Sequence, residues 1–327
     1  MITSLKAVIL AAGKGTRMKS EILKVAHEVA GKPIVSYVLD TVQHLGVEEV
    51  FMVVGHQADL IQKNLKQKHL TFVMQDEQLG TGHAVMQVEP HVQHQDKTSL
   101  LILAGDCPLI EESTLKSLVE FHHETNAAAT VLTTKMDNPG SYGRILRGKL
   151  GTLNGIREAK DCSPAEKKVK EINTGVYIFQ AEALFKALGK IDTNNTQKEY
   201  YLTDVIHILK TEGKPVSAYC TDKPDQAIGV NTRMDLAKIN KLLYRNNNQY
   251  FMEEGVTIVD PESTFIDSTV HIGHDTIINP FTVIKGSTSI GAHCHVGPHA
   301  HIEDATLGNG SIIPPFSHIN GHASPSC

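Results

Sequence analysis

Tryptophan is absent from this sequence, and so are Cys-x-x-Cys pairs, an excess of basic residues and any long apolar run. Asp and Glu (36) outnumber Lys and Arg (31), and the formal net charge of −5 argues against nucleic acid or an anionic membrane as the main partner. No apolar run reaches the ~18 residues needed to span a bilayer. The first ten residues are also not typical of a secretion signal. These absences predict a globular protein that works away from membranes and nucleic acids.

The cysteines and histidines give no strong sign of a metal centre. The five cysteines are scattered along the chain, which argues against a zinc knuckle and a disulfide framework and favours a reducing compartment, the cytoplasm. Eight of the 18 histidines lie between His271 and His322, mostly at polar, turn-like positions. Because nearly all of them lack acidic or cysteine partners at ligand spacing, we interpret them as solvated loop residues.

Up to about residue 230, short apolar runs alternate with amphipathic segments. Residues 50–54, 70–74 and 100–103 are apolar runs, interrupted only by Thr71, as expected for strands buried on both faces of a mainly parallel sheet. After Pro33, apolar residues recur at helical spacing. This alternation predicts an α/β domain with a doubly wound sheet, whose ligands bind beyond the carboxyl ends of the strands.

The pattern changes in the last third of the chain. Residues 231–253 predict a linker helix, and after Gly255 aliphatic residues recur every six positions: Ile272, Ile278, Ile284, Ile290, Val296 and Ile302. A period of six predicts hexapeptide repeats that form a parallel β-helix with the aliphatic side chains inside. The period slips by one residue at Leu307. We therefore expect a first domain at 1–230, a linker helix at 231–253 and a short β-helix at 254–327. A solenoid this short favours packing into a homotrimer or against a partner.

Residues 6–18 form the most informative segment. An apolar strand leads into a turn that contains Gly13, Lys14, Gly15 and Arg17. Small residues let backbone N–H groups approach an anion closely, and the two cations add charge where phosphates would lie. The segment matches neither G-x-G-x-x-G nor G-x-x-x-x-G-K-[ST]. The alternative is an ordinary strand–turn–helix connection.

Other polar residues fall where this site is expected. Asp106 follows the apolar run 100–103, and Asn231 could add a second oxygen; such a pair suits Mg²⁺. Helix capping is the alternative role for both. The amide of Gln75 and the glycine-rich turn 78–84 could read the edge of a base, although such turns are common. Lys24 is either a solvated loop lysine or a group that neutralises phosphate charge.

Taken together and in order, these segments resemble a known family. The motifs are LAAGKGTRM (10–18), QLGTGHA (78–84), GDCPLI (105–110), YGRI (142–145), EINTG (171–175) and EYYLTD (199–204). They resemble the uridyltransferase half of the bacterial bifunctional N-acetylglucosamine-1-phosphate uridyltransferase/glucosamine-1-phosphate acetyltransferases. The resemblance covers nearly the whole chain. It implies a Rossmann-like, doubly wound mixed sheet followed by a short left-handed parallel β-helix.

The resemblance also implies residue roles. The nucleotide would be held by Leu10, Ala11, Ala12, Gly13, Gln75, Gly80, Thr81 and Gly105. The N-acetylglucosamine would be held by Gly143, Glu158, Asn173 and Thr203. The cofactor Mg²⁺ would bind Asp106 and Asn231, with Arg17 and Lys24 as catalytic cations facing the triphosphate. The implied reaction converts UTP and N-acetylglucosamine 1-phosphate to UDP-N-acetylglucosamine and pyrophosphate, for peptidoglycan and lipopolysaccharide precursor synthesis.

Departures from the family pattern keep alternatives open. Leu23 stands where the family usually has proline, and Ala104 replaces a residue that is often larger. Residues 316–321 lack the arginines that the family shows there, so acetyltransferase activity is not expected. One alternative is a related nucleotidyltransferase for another sugar 1-phosphate. The other is a non-catalytic β-helix scaffold that binds a nucleotide sugar, although the retained cations and oxygen ligands argue against it.

Overall fold

The computed structural model describes residues 4–55, 61–62, 65, 69–92, 98–148 and 151–321. The chain divides into two compact units. The first contains the residues up to Ala26 together with Ile34–Asn231. The second contains His27–Pro33 together with the chain from Thr232 onward. None of the described helices is long and apolar enough to cross a membrane.

The described elements up to residue 231 are strands, α-helices and short 3₁₀ turns. The strands are β1 (Leu5–Leu10), β2 (Glu28–Val29), β3 (Lys32–Pro33), β4 (Val50–Val54), β5 (Leu70–Met74), β6 (Ser99–Ala104), β7 (Ala129–Lys135), β8 (Arg144–Arg147), β9 (Leu153–Arg157), β10 (Glu171–Gln180) and β11 (Val216–Thr221). The α-helices are α1 (Ile34–His44), α2 (Thr81–Met86), α3 (Glu112–Glu124), α4 (Ala181–Leu188) and α5 (Asp204–Thr211). Short 3₁₀ turns at Thr16–Met18 and Lys24–Ala26 lie in the loop after β1.

The first unit is built on one mixed sheet, as predicted. Its strand order is β11-β7-β10-β6-β1-β4-β5, and β8 extends it by pairing with both β10 and β9. The neighbours β6, β1, β4 and β5 run parallel, whereas β10 is antiparallel to β6 and β7. Because β6, β1, β4 and β5 are parallel, the loops after them meet at one edge, where ligands of doubly wound sheets bind.

Both faces of this sheet are covered. Along β1, Val8 packs into one buried cluster, while Ala7 and Ile9 pack into a second cluster on the other face. The alternation follows from the two-residue period of a strand. One expectation was wrong: β5 is not buried on both faces, since it lies at the edge of the sheet and its Met74 side chain is exposed.

The predicted helix after Pro33 is α1, and its apolar face is buried. Pro33 itself lies in β3, paired with Glu28, rather than in the first turn of the helix. The linker segment contains the helix α6 (Arg233–Glu253). Its N-cap is Thr232, whose side chain accepts from the backbone N–H of Asp235 in a capping box. Asn231 is therefore not the capping residue.

The second unit contains the β-helix that the six-residue period predicts. Its strands are β12 (Thr257–Ile258), β13 (Phe265–Ile266), β14 (His271–Ile272), β15 (Ile277–Ile278), β16 (Val283–Lys285), β17 (Ser289–Ile290), β18 (His295–Val296), β19 (His301–Glu303), β20 (Thr306–Leu307), β21 (Ile312–Ile313) and β22 (His318–Asn320). They stack as three parallel sheets, in the orders β12-β15-β18-β21, β13-β16-β19-β22 and β14-β17-β20. The architecture is that of a hexapeptide-repeat left-handed β-helix.

The strand register accounts for the repeat and for its slip. Ile272 pairs with Ile290, 18 residues later, which is three repeats of six. Ile290 then pairs with Leu307 after only 17 residues, which confirms the predicted loss of one residue from the period. The repeat residues from Ile278 to Ile302 are at most 2% exposed. Their burial along the axis of the coils provides the hydrophobic core of this unit.

Candidate active site

A cavity of about 440 Å³ lies at the carboxyl ends of β1, β5 and β6. Nine of the predicted site residues line it: Leu10, Ala11, Ala12, Gly13, Lys24, Gln75, Gly80, Thr81 and Asp106. Gly105 is not among the lining residues. Its backbone N–H donates to the Leu10 carbonyl at 2.9 Å, and a Cβ there would lie 3.0 Å from that oxygen. The absence of a side chain at Gly105 therefore lets β1 and β6 end side by side.

Both predicted metal ligands and both predicted cations converge in one cluster. Lys24 forms an ion pair with Asp106, and its Nζ also donates to Asn231 Oδ1 at 3.3 Å. The Arg17 guanidinium donates to the same Asn231 oxygen at 2.8 Å. The Lys24 and Asp106 side chains are each only 15% exposed, so their charges interact more strongly than a solvated surface pair would.

The backbone holds Asn231 close to Asp106. The N–H of Val230 donates to the Asp106 carbonyl at 2.9 Å, which joins the loop after β6 to the segment that ends the first unit. At Gly229 a Cβ would lie 3.3 Å from Asp106 Oδ1. A larger residue there would therefore crowd the carboxylate.

The oxygen pair suits a magnesium ion. One ammonium nitrogen, that of Lys24, reaches both Asp106 Oδ2 and Asn231 Oδ1, so these two oxygens share a single position for a cation. Mg²⁺ prefers hard oxygen ligands and takes only one or two from protein when substrate phosphates supply others. Asp106 and Asn231 fit that requirement.

Gly15 sets the positions of Arg17 and Lys24 in the loop after β1. This glycine has φ +59°, and a Cβ on it would lie 2.6 Å from the Cβ of Lys24. Only glycine combines that backbone conformation with such close packing. The close approach holds the turn that carries Arg17 against the turn that carries Lys24.

The glycine-rich turn 78–84 is fixed by the segment before α5. Gly82 N–H donates to the Tyr200 carbonyl at 2.8 Å, and Tyr200 N–H donates to the Leu79 carbonyl at 2.7 Å. Gly80 has φ +114°, and a Cβ there would lie 2.6 Å from the Tyr200 oxygen. The buried Gln75 amide donates to the Gly80 carbonyl at 3.2 Å. The turn and Gln75 therefore form one rigid wall of the cavity.

The four predicted sugar ligands form two pairs. Thr203 Oγ1 donates to Glu158 Oε1 at 3.1 Å, and the Asn173 N–H donates to the Gly143 carbonyl at 2.9 Å. The Asn173 side chain also donates to the Tyr177 hydroxyl at 2.6 Å. In the described part of the chain, these four residues do not line the 440 Å³ cavity.

Glu158 sits in an environment that disfavours its charge. Burial raises the pKa of its carboxyl above the ordinary range, and the nearby carboxylates of Asp161, Asp204 and Glu199 raise it further. The hydrogen bond from Thr203 acts in the opposite direction. The Glu158 carboxyl thus holds its proton more tightly in the folded protein than in the unfolded chain. Its contribution to stability is therefore greatest below its unfolded-state pKa and is lost as the pH rises through its higher folded-state pKa.

Replacing Glu158 with glutamine is expected to stabilise the protein at pH 7–8. The amide keeps an oxygen for the Thr203 hydroxyl but carries no charge to be buried, so we expect a Tm increase of about 1–4 °C. The gain should shrink as the pH is lowered toward 4.5. Thermal unfolding across that pH range checks the prediction, with the exposed Glu182→Gln as the matched control. A Glu158 variant that melts below wild type at pH 8 would contradict it.

Several residues of the site were not predicted as individual ligands from the sequence. Glu199 and Val25 line the cavity, and so does Gln78, the first residue of the glycine-rich turn. Cys107 is buried, its thiol donates to Asp106 Oδ1 at 3.5 Å, and burial raises its pKa well above the ordinary value. Glu199 was visible only as part of the EYYLTD motif. Its place in the cavity depends on the fold of the segment 199–204 over the glycine-rich turn, for which the sequence carries no local signal.

Comparison with known proteins agrees with this architecture. A family model described as the MobA-like NTP transferase domain matches residues 7–169, and a bacterial transferase hexapeptide model of six repeats matches residues 269–304. A solved UDP-glucose pyrophosphorylase complexed with UDP-glucose has a TM-score of 0.61 at 17% identity, covering 77% of this chain and all of its own. That likeness concerns the fold alone.

Relatives at higher identity span nearly the whole chain. The bifunctional protein GlmU of Enterococcus faecalis is 48% identical over 94% of this chain and 67% of its own length. That of Syntrophomonas wolfei is 46% identical over 99% of this chain and 72% of its own length. That of Listeria monocytogenes is 47% identical over 92% of this chain and 66% of its own length. The chain therefore belongs to the GlmU family, with a nucleotidyltransferase domain as its first unit and a hexapeptide-repeat β-helix in its second.

Proposed function

We propose that the first unit transfers UMP from UTP to N-acetylglucosamine 1-phosphate, giving UDP-N-acetylglucosamine and pyrophosphate. The observation that carries this proposal is the convergence of Arg17 and Lys24 on Asp106 and Asn231 at the cavity. Two phosphate-bearing substrates repel each other, and two cations next to two oxygen groups that suit a metal ion can hold both substrates in position for phosphoryl transfer. Membership of the GlmU family supports the same reaction class.

The reaction needs charge control rather than a general base. An oxygen of the sugar phosphate attacks the α-phosphorus of UTP, the α–β anhydride bond breaks, and its electron pair leaves with pyrophosphate. The attacking phosphate is already anionic at neutral pH, so no residue has to remove a proton. Lys24 and Arg17 hold the phosphate oxygens, and Mg²⁺, when bound at Asp106 and Asn231, would neutralise their charge.

The nucleotide and the sugar are held by different groups in this proposal. Residues 10–13, Gln75, Gly80 and Thr81 line the cavity and would enclose the uridine, with the fixed Gln75 amide reading the uracil edge. Gly143, Glu158, Asn173 and Thr203 would hold the N-acetyl sugar. A site built from hydrogen-bonding groups discriminates against a sugar that leaves them unpaired.

Pyrophosphate release tests the proposal. The assay uses UTP, Mg²⁺ and a panel of sugar 1-phosphates that includes the N-acetylglucosamine, glucosamine, galactose and glucose compounds. Turnover is expected with N-acetylglucosamine 1-phosphate and at most weakly with the others. Preference for another sugar would replace the proposed substrate, and no pyrophosphate with any sugar would favour the non-catalytic scaffold.

Two further features belong to the proposal. Acetyl transfer by residues 254–327 is not part of it, because these residues contain no arginine and a single lysine, Lys285, to hold the phosphates of an acetyl-coenzyme A. A homotrimer formed through the β-helix is part of it, since the coils expose the large apolar side chains of Phe281, Ile312 and Phe316. Acetyl-coenzyme A consumption and light scattering on the same preparation report on both.

A further inference from the structure

Two histidines and an aspartate meet on the surface of the β-helix, and none of them belongs to the candidate nucleotidyl-transfer site. His274 and Asp275 follow β14 on one coil, and His293 follows β17 on the next. One potential ligand atom from each residue lies within 4.8 Å of the other two. All three side chains are exposed, so an ion from solvent can reach them without any rearrangement of the core.

The coils fix the positions of the three residues. Asp275 and His293 are 18 residues apart and occupy equivalent corners of successive coils, with φ 58° and 57°. The Asp275 N–H donates to the Gly255 carbonyl at 2.9 Å, and the His293 N–H donates to the His274 carbonyl at 3.1 Å. The backbone of the cluster is thus part of the coil stacking, which preorganises the ligands.

The spacing of the ligand atoms fits a transition-metal ion. Asp275 Oδ2 lies 2.8 Å from His274 Nδ1 and 3.8 Å from His293 Nδ1. Tetrahedral bonds of about 2.0–2.2 Å to nitrogen and oxygen place neighbouring ligand atoms ~3.4 Å apart. The two observed separations bracket that value, and all three ligand atoms lie within 4.8 Å of one another, so rotation of the exposed side chains can bring them onto one ion. The ion would replace the hydrogen bond between His274 and Asp275.

We propose that His274, Asp275 and His293 bind a divalent transition-metal ion of the Zn²⁺ type, with the remaining coordination position open to water. Two imidazoles and one carboxylate suit Zn²⁺, Ni²⁺ or Cu²⁺, whereas Mg²⁺ prefers oxygen ligands alone. The bound ion would join two successive coils. This assignment replaces the interpretation of all the β-helix histidines as solvated loop residues.

Calorimetric titration of the full chain with Zn²⁺ tests the proposal, with Mg²⁺ in excess throughout to compete for oxygen-only positions such as Asp106 and Asn231. Wild type is expected to bind one ion per chain at micromolar Zn²⁺ and to melt at a higher temperature with it. His274→Ala, Asp275→Asn and His293→Asn should each weaken binding at least ~10-fold, since even an outer-shell partner of a metal ligand is worth 10–100-fold. Asparagine is chosen at the two corners because it tolerates positive φ.

His271→Ala is the matched control, as an exposed histidine of the same coils outside the cluster. It should keep the wild-type affinity and the same Zn²⁺-dependent rise in Tm. The proposal is overturned if the cluster variants bind Zn²⁺ as wild type does, if the control loses as much affinity as they do, or if wild type binds only at millimolar Zn²⁺. Melting curves of the metal-free variants show whether any loss comes from misfolding.

Discussion

Replacing Asp106 with alanine is expected to abolish pyrophosphate release at every Mg²⁺ concentration. The Asp106 carboxylate is one of the two oxygen groups that share the cation position, and it also neutralises Lys24. Its loss removes one of the two proposed metal ligands. It also leaves the charge of Lys24, a side chain only 15% exposed, without its carboxylate partner. Loss of one preorganised electrostatic contact costs about 10²–10³-fold in kcat, and we expect the metal ligand to reach at least that.

Initial rates at several Mg²⁺ concentrations check this prediction. Asp137→Ala is the control, since that carboxylate is exposed and pairs with the surface residue Lys170. Asp106→Asn serves as a second variant that preserves the side-chain volume beside Cys107 and Gly229. Substantial turnover of Asp106→Ala, or its rescue by raised Mg²⁺, would contradict the proposed role of Asp106 as a metal ligand.

The second large effect is expected from Lys24. Its Nζ contacts both Asp106 and Asn231, so in the proposed reaction its ammonium group lies where it can neutralise the negative charge of the phosphates. We choose Lys24→Met because the methylenes that pack against Gly15 are retained while the charge is lost. The expected loss in kcat is at least ~10²-fold, the scale of one transition-state charge contact.

Steady-state kinetics separate this role from simple substrate binding. A contact made mainly in the transition state lowers kcat, whereas one made equally in the ground state raises KM. The exposed Lys167→Met controls for the loss of a surface charge and should behave as wild type. A wild-type kcat for Lys24→Met would return Lys24 to the class of solvated loop lysines.

Local patterns predicted the elements of the fold well, and for clear reasons. The apolar runs that became β4 and β5 were located residue for residue. For β4 the reason is that a strand buried on both faces of a parallel sheet is apolar at every position. The six-residue period predicted the β-helix and its slip at Leu307, because each aliphatic residue must point to the axis. The exposure of β5 was missed, since an edge position depends on strand order and not on the strand's own sequence.

The site was predictable by type of residue but not by partner. Gly13 and Asp106 each follow a predicted strand, so the sequence predicted both at the same edge of the sheet. In the structure both line the cavity at that edge. No sequence pattern predicted that Arg17 and Lys24 would both donate to Asn231 Oδ1. That contact depends on the hydrogen bond from the Val230 N–H to the Asp106 carbonyl, which holds Asn231 near Asp106. Pairings between distant segments are set by tertiary packing.

The most direct test of the account is a crystal structure of the protein with UDP-N-acetylglucosamine and Mg²⁺. We expect the ion about 2.1 Å from oxygens of Asp106 and Asn231, with the Lys24 ammonium moved from Asp106 to a phosphate oxygen. The uracil should contact Gln75, and the N-acetyl sugar should lie against Glu158 and Asn173. A diphosphate bound elsewhere, or an ion that contacts neither Asp106 nor Asn231, would contradict the account.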